Sequence, residues 1–242
     1  MISKNIVIIF CYNVDKNISS VCEKLIFYKV NKNADVLFID DCSTDNTHSL
    51  INKFVSKNQK FKIIRNETNN GYGKNYKFSI NYVLKKKYQK LVFLHGDDQY
   101  PTSKVNKIFV ELDKSDFCYG SRFLNAPSAY KKMPKLRIIA NRVLTFLINL
   151  LMSNNATEYF SGFRGFRTAL FQGLNLDNFK NSWIIEQEMH LFFICKKVKI
   201  KEFSIDTIYD NQISRVPPVK YVLDVIVCML KFFLINVGIL KK

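Results

Sequence analysis

Two acidic pairs stand where short apolar runs stop: Asp40-Asp41 directly after Val36-Leu37-Phe38-Ile39, and Asp97-Asp98 shortly after Leu91-Val92-Phe93-Leu94. A carboxylate at the mouth of a buried strand is costly for folding unless it holds something. In open α/β sheets, ligands bind in the crevice beyond the carboxyl ends of the strands. The residue types therefore point to an enzyme for a nucleotide-linked, metal-bound substrate. Within His95-Gly96-Asp97-Asp98-Gln99-Tyr100-Pro101, positions i and i+2 of an extended segment share a side. Asp97 and Gln99 can then face one Mg²⁺ or Mn²⁺ that bridges a diphosphate, since carboxylate and amide oxygens are hard ligands. Asp98 reads as a turn residue. Asp40-Asp41-Cys42-Ser43-Thr44-Asp45 offers acceptors for a base edge and ribose hydroxyls. His95 is equally readable as a ligand, a base or a packed ring, and no role is assigned to it.

Cationic and proton-transfer groups come next. Arg122 follows Gly120-Ser121 at a strand end, where its guanidinium can fork onto a phosphate. Arg137, Arg142, Arg164 and Arg215 are further candidates. Glu186 and Glu188 lie two residues apart and so cannot share a helix face. At most one enters a site; where a hydroxyl must be deprotonated, Glu188 is preferred as the general base, with Glu186 second, and an already ionised group needs none.

The elements that must position these groups alternate along the first half. Strand patterns at 5–10, 35–40, 61–65, 90–94 and 116–120 are separated by helical patterns at 18–31, 46–57, 74–87 and 102–112. That alternation predicts an α/β fold with a mostly parallel sheet flanked by helices. Beyond about residue 122 the pattern changes to helices at 136–152 and 184–197, a strand near 199–205, and a last helix after Pro217-Pro218. Residues 1–215 are expected to form the main domain and 216–242 a C-terminal amphipathic helix on a membrane surface.

Composition bounds the partners. With 242 residues and 48% hydrophobic content, the chain can bury one full core plus an appendage. The net charge of +17, from 37 basic and 20 acidic residues, suits phosphate-bearing substrates, an anionic membrane surface or nucleic acid. A composition biased toward Lys, Asn, Ile and Phe contributes to it. Neither an aromatic-interleaved RNA motif nor zinc-finger spacing occurs, so nucleic acid is not expected. The stretches 136–152 and 221–240 are interrupted by Arg137, Asn141 and Arg142, and by Asp224, Lys231 and Asn236. Both read as interfacial rather than spanning. Six cysteines without C-x-x-C pairing read as reduced core residues of a cytosolic protein, and the N-terminus shows no signal-peptide pattern.

Taken in order, the motifs resemble the family 2 glycosyltransferases, especially the polyprenyl (dolichyl) phosphate sugar synthase branch. The matching strings are Ile9-Phe10-Cys11-Tyr12-Asn13, Ile39 to Thr47, Asn69-Asn70-Gly71-Tyr72-Gly73, His95 to Pro101, Tyr119-Gly120-Ser121-Arg122-Phe123, Asn141-Arg142 and Ser161 to Phe166. The resemblance covers about residues 4–215. It implies a GT-A fold, a nucleotide-diphosphate sugar donor and inversion at the anomeric carbon. It also implies that Tyr12, Asn13, Asp40 and Asp41 line the nucleotide pocket, and that Asp97 and Gln99 occupy the metal-binding positions. Arg122 then matches an arginine at the phosphates, Arg137 and Asn141 fall where the acceptor phosphate is held, and Arg215 lies in a loop closing over the diphosphate. Three departures stand out. Val14 replaces a glutamate, and His95 replaces the first Asp of D-x-D. Cys42 replaces a glycine, so the turn is expected not to need a strongly positive φ there.

The expected activity is transfer of a sugar to a prenyl phosphate lipid by an enzyme peripheral on the cytoplasmic membrane face. The alternatives are a hydroxyl acceptor in cell-surface polysaccharide synthesis, and a cationic non-enzymatic binding protein. A nucleotidyltransferase is disfavoured because Cys11–Asn17 lacks the glycine-rich loop that chemistry uses, and a catalytically inactive relative is the quieter reading.

Overall fold

The structure is a computed structural model that describes residues 4–125, 130, 133–206 and 217–240. Seven strands form one sheet: β1 (Asn5–Cys11), β2 (Asp35–Asp40), β3 (Phe61–Arg65), β4 (Lys90–His95), β5 (Phe117–Ser121), β6 (Arg164–Arg167) and β7 (Ile200–Ser204). Their order is β3-β2-β1-β4-β6-β5-β7. β6 runs antiparallel to both β4 and β5, and the other pairings are parallel. The fold is thus α/β with a mostly parallel sheet, as the alternating patterns predict. The short strand β6 departs from the expected turn at Ser161–Arg164. Four residues with Gly165 at their centre carry little strand signal, and the strand exists because β4 and β5 supply partners on both sides.

Alternation along β1 explains the two buried layers. Val7 and Ile9 face a cluster with Ile18, Val21 and Leu25 of α1 (Asp15–Phe27), Ile51 of α3 (Thr47–Val55) and Val105 and Ile108 of α5 (Val105–Glu111). Ile6 and Ile8 face the opposite cluster, with Tyr76, Ile80 and Val83 of α4 (Tyr72–Lys85) and Ile185 and Met189 of α7 (Ile185–Cys195). The pattern expected to give one helix over 18–31 instead breaks at Lys29, whose φ of 56° lies in the left-handed region, and α2 (Val30–Asn33) follows.

A third cluster joins α6 (Lys135–Met152), the outer side of α7 and α8 (Pro218–Asn236) through Leu144, Ile148, Leu191, Val225, Met229 and Phe232. α8 packs on the domain, and Lys180 and Lys231 extend toward Asp224 and Glu188 across that contact. Among the described residues no helix is long and apolar enough to cross a membrane.

Candidate active site

The chain runs from β1 outward to β2 and β3, then returns to place β4 on the other side of β1. This reversal opens a crevice at the carboxyl ends of β1 and β4, where such sheets bind ligands. Loops from distant parts of the sequence are tied together there. Asn13 donates its backbone N–H to Ser43 Oγ (3.0 Å), and its Oδ1 accepts the Thr44 N–H (2.8 Å). Asp41 accepts from Asn66 Nδ2 (2.7 Å), Asn70 N–H (2.8 Å) and Gly71 N–H (2.9 Å), which draws the β3–α4 loop across the end of β2. Tyr12 stands at the mouth, 36% exposed.

The two aspartates are not equivalent. Asp40 has no exposure; its Oδ1 accepts the Ser43 N–H (3.0 Å), with His48 Nδ1 3.2 Å and Arg65 Nε 3.6 Å from Oδ2. It shapes the turn from inside. Cys42 corrects an expectation, because its φ is 61°. A non-glycine residue pays about 1–2 kcal/mol for left-handed backbone. The hydrogen bonds of Asp41 and Ser43 on either side hold it there.

The turn after β4 carries the second acidic pair. Asp97 Oδ1 accepts the Gln99 N–H at 3.2 Å, which curls the segment so that both side chains stay partly exposed at the crevice. Asp98, at φ 60°, turns away to accept from Ser20 Oγ (2.9 Å) and Lys24 Nζ of α1. It is a structural turn residue. His95 is packed beside Tyr72, with Tyr72 OH 3.3 Å from its Nε2, and the same hydroxyl donates to Glu186 Oε1 at 2.6 Å. Burial, and then the Glu186 charge, push the Tyr72 phenol well above its usual range. Trp183 stacks on Tyr72 with ring centres 5.0 Å apart.

Two glycines permit this assembly. A Cβ on Gly162 would lie 3.0 Å from His95 Cε1 and 3.1 Å from Glu186 Oε1, and one on Gly73 would lie 2.3 Å from the Asn181 backbone. The first keeps β6 close to the site, and the second seats the Asn181–Trp183 segment on α4.

The two glutamates face different surroundings. Glu186 reaches the crevice, whereas Glu188 faces a separate cleft of about 370 Å³ between α4, α7 and α8. There it accepts the Lys180 N–H at 2.7 Å and lies 3.8 Å from Lys231 Nζ. Helical geometry turns residues two apart to opposite sides, and β6 determines which side meets His95. Burial raises the Glu188 carboxyl above its ordinary range, more than the nearby lysines lower it.

The basic residues are equally sorted. Arg122 lies on Glu158: its Nε is 2.9 Å from Oε1, its Nη2 meets the same oxygen, and its backbone N–H donates to Oε2 at 2.7 Å. Asn141 of α6 donates to the same carboxylate at 3.2 Å. Arg137 is exposed one helical turn before Asn141. Arg142 lies over Phe123 and donates to the Thr157 carbonyl at 3.3 Å. Arg164 is fully buried and donates to the Ser161, Tyr159 and Glu186 carbonyls, so it braces the backbone beneath the crevice. Arg215 lies outside the described residues. Tyr221, in the first turn of α8, has its phenol pushed up by burial and then by the Glu186 charge.

Tyr72, Glu158 and Trp183 are absent from the sequence-derived site. Tyr72 sat inside a recognised turn string and could have been found there. Glu158 lies in a polar connection with no local pattern, and only the fold brings it to Arg122.

The donor set suits a particular kind of ion. Among the described residues no three His, Cys, Asp or Glu side chains gather as a metal cage. Asp97 and Gln99 offer two oxygens, and His95 Nε2 is engaged with Tyr72. Two protein ligands fit Mg²⁺ or Mn²⁺, which keep waters and take substrate phosphate oxygens for the rest of their shell.

A crevice at the switch point of a mostly parallel α/β sheet is where such folds bind ligands. Residues 6–174 match the family described as glycosyl transferase family 2, and the chain belongs to that family. It is 27% identical over 238 residues to an uncharacterized protein of Methanocaldococcus jannaschii, covering 96% of this chain and 100% of that one. It is 27% identical over 221 residues to the UDP-N-acetylglucosamine–dolichyl-phosphate N-acetylglucosaminyltransferase of Methanococcus voltae, covering 84% of each. In structure it is similar to glucosyl-3-phosphoglycerate synthase from Mycobacterium tuberculosis in complex with Mn²⁺, UDP and phosphoglyceric acid, with a TM-score of 0.68, 13% identity and coverage of 98% and 80%. The GT-A fold follows from that likeness.

Proposed function

We propose that the protein is an inverting glycosyltransferase that moves a sugar from a nucleoside-diphosphate sugar to a prenyl phosphate lipid, working at the cytoplasmic face of the membrane. Helix α6 carries this reading. On its inner side Asn141 shares a carboxylate with Arg122. On its outer side Leu136, Ile139, Val143, Phe146 and Leu150 are each more than half exposed. Their spacing of three and four residues makes one stripe. Val219, Leu223 and Val227 of α8 expose a second stripe, and Lys135, Arg137, Arg142 and Lys220 are exposed beside the two. Apolar stripes flanked by cations suit an anionic lipid surface. An acceptor with a phosphate in the crevice and its chain in lipid requires that combination. The dolichyl-phosphate activity of the Methanococcus relative agrees with it.

In this reading Tyr12, Asn13 and Asp41 surround the nucleoside, with Asp40 supporting them from within. Arg122 meets the diphosphate, Arg137 and Asn141 meet the acceptor phosphate, and Arg215 remains a candidate for the diphosphate. Asp97 and Gln99 would hold Mg²⁺ or Mn²⁺, which supplies Lewis-acid stabilisation of the departing diphosphate. Asp97 is the residue on which catalysis depends most. A phosphate-monoester oxygen is already ionised at neutral pH, so it forms the new C–O bond without a general base. The bond from the anomeric carbon to the diphosphate breaks, and its electron pair leaves with the nucleotide, where Arg122 offsets the charge.

A hydroxyl acceptor is the second reading, favoured by Glu186 being buried beside the crevice with only the Tyr72 hydroxyl bonded to its carboxylate among the described contacts. Glu186, rather than Glu188, would then be the base. A panel of sugar nucleotides in a thermal-shift assay, with and without Mn²⁺, tests the donor; Mn²⁺-dependent stabilisation by one of them is expected. Transfer from that donor to a short prenyl phosphate, retained in Glu186→Gln, supports the lipid acceptor. Transfer to a glycan hydroxyl that Glu186→Gln abolishes would replace it.

A further inference from the structure

We propose that Glu158 is a positioning residue that holds the diphosphate-facing Arg122 and the acceptor-side Asn141 on one carboxylate, so that the two halves of the reaction centre are set against each other. The inference rests on the proposed roles of Arg122 and Asn141, and assigns a function to a residue that contacts neither substrate.

Glu158 lies between α6 and β6 with no solvent exposure. A buried carboxylate is tolerated only when paired and fully hydrogen-bonded. Its oxygens take the Arg122 backbone N–H, the Arg122 Nε and Nη2, and the Asn141 amide. The carboxylate is itself anchored, because the Glu158 backbone N–H donates to Glu202 Oε1 of β7 at 3.1 Å. Glu202 also takes the Thr157 N–H and hydroxyl, at 3.0 and 2.6 Å. A chain of bonds thus runs from the sheet edge through Glu202 and Glu158 to the guanidinium.

The geometry of the pair matters more than its existence. Glu158 grips the guanidinium by its Nε and Nη2 edge, and the Phe160 carbonyl adds a contact to Nη2 at 3.3 Å. With that edge clamped, the plane of the fork is set, and so is the direction of Nη1. A long arginine side chain otherwise loses considerable rotamer freedom on meeting a phosphate. Clamping it beforehand removes about a two- to tenfold penalty in binding, the range for one immobilised side chain. Asn141 is 6% exposed and its amide donates to Glu158.

The test is a double-mutant cycle of Glu158→Gln and Arg122→Met, read by titration of UDP and of GDP in the presence of Mn²⁺, by kcat and KM for the donor found in the panel, and by melting temperature. Glu158→Gln keeps the shape but loses the charge, and it is expected to weaken diphosphate binding about two- to tenfold and to lower kcat as well. Glu158→Asp, which keeps the charge, is expected to recover part of both. In the Arg122→Met background, Glu158→Gln is expected to cost nothing further in affinity or kcat/KM. Equal losses in both backgrounds would overturn the inference, because Glu158 would then act independently of Arg122. So would a Glu158→Gln variant that melts early yet binds diphosphate normally, which marks a purely structural residue. A folded wild type that binds neither diphosphate removes the site reading, and the inference with it.

Discussion

The two halves of the crevice handle polarity in opposite ways. Along the ends of β1, β2 and β4, almost every side chain with chemical capacity is closed on another part of the fold: Asn13 on Thr44, Asp41 on the loop before α4, and Asp98 on α1. On α6 and α8 a buried polar or apolar inner side is backed by an outer side of exposed apolar residues. The first half is preformed for a small polar ligand, since its donors are already oriented and little ordering remains to be done. The second half is incomplete in water. Its exposed stripes lie beyond what a soluble surface ordinarily displays as scattered residues, and the proposed lipid acceptor would give them a purpose.

That contrast can be broken at several points. Asp97→Ala strikes the preformed half, and turnover is expected to fall by about 100-fold or more, the scale for removing one transition-state stabiliser. The fold should survive the change, because Asp97 is a partly exposed residue of a turn. A variant with full turnover would remove the metal role of that turn. Phe146→Glu strikes the other half. Phe146 is 64% exposed, so the fold should survive. Binding to anionic vesicles, measured by flotation, should weaken about tenfold or more, since burying one such side chain is worth roughly 1.5–3 kcal/mol. Unchanged flotation would detach the apolar stripe from the membrane.

A third prediction concerns the core behind the crevice. His190 is buried among the rings of Phe117, Tyr119 and Tyr159, and among the described residues neither ring nitrogen has a hydrogen-bond partner. Burial, and then the nearby Arg164 charge, hold its pKa well below the ordinary value. The unfolded chain therefore binds a proton below about pH 6.5 that the folded chain refuses, and stability drains as pH falls through that value, by about 1.4 kcal/mol per pH unit. His190→Phe should flatten this acid slope in melting curves from pH 7 to 5. A slope identical to wild type would refute the assignment.

The smallest effect is expected at Glu188. Its raised pKa means that the folded state holds the proton longer than the unfolded one, so its contribution is favourable at low pH and is lost as pH rises through the folded value. Glu188→Gln should gain slightly in melting temperature at pH 7 relative to pH 4, with turnover intact. A large loss of turnover would return Glu188 to the catalytic machinery and dissolve the separation between its cleft and the crevice.

Where local pattern dominates, the sequence was sufficient. Short apolar runs and helical stripes predict β1 to β4 and their order along the chain, and strands that end in carboxylates identify the crevice edge. The family followed from ordered strings covering most of the chain. Those features depend on near neighbours, and period and turn chemistry report them directly. Tertiary structure decided what depends on contacts between distant residues. It turned Asp40 inward and Asp41 toward the β3–α4 loop, set Glu186 against Tyr72 and Glu188 in a separate cleft, and inserted β6 between β4 and β5. It also put Arg122 on Glu158, 36 residues away in sequence. Adjacent carboxylates look alike in a linear chain; their environments differ because a half turn of strand or helix directs each to a different set of partners, and the packed sheet supplies those partners.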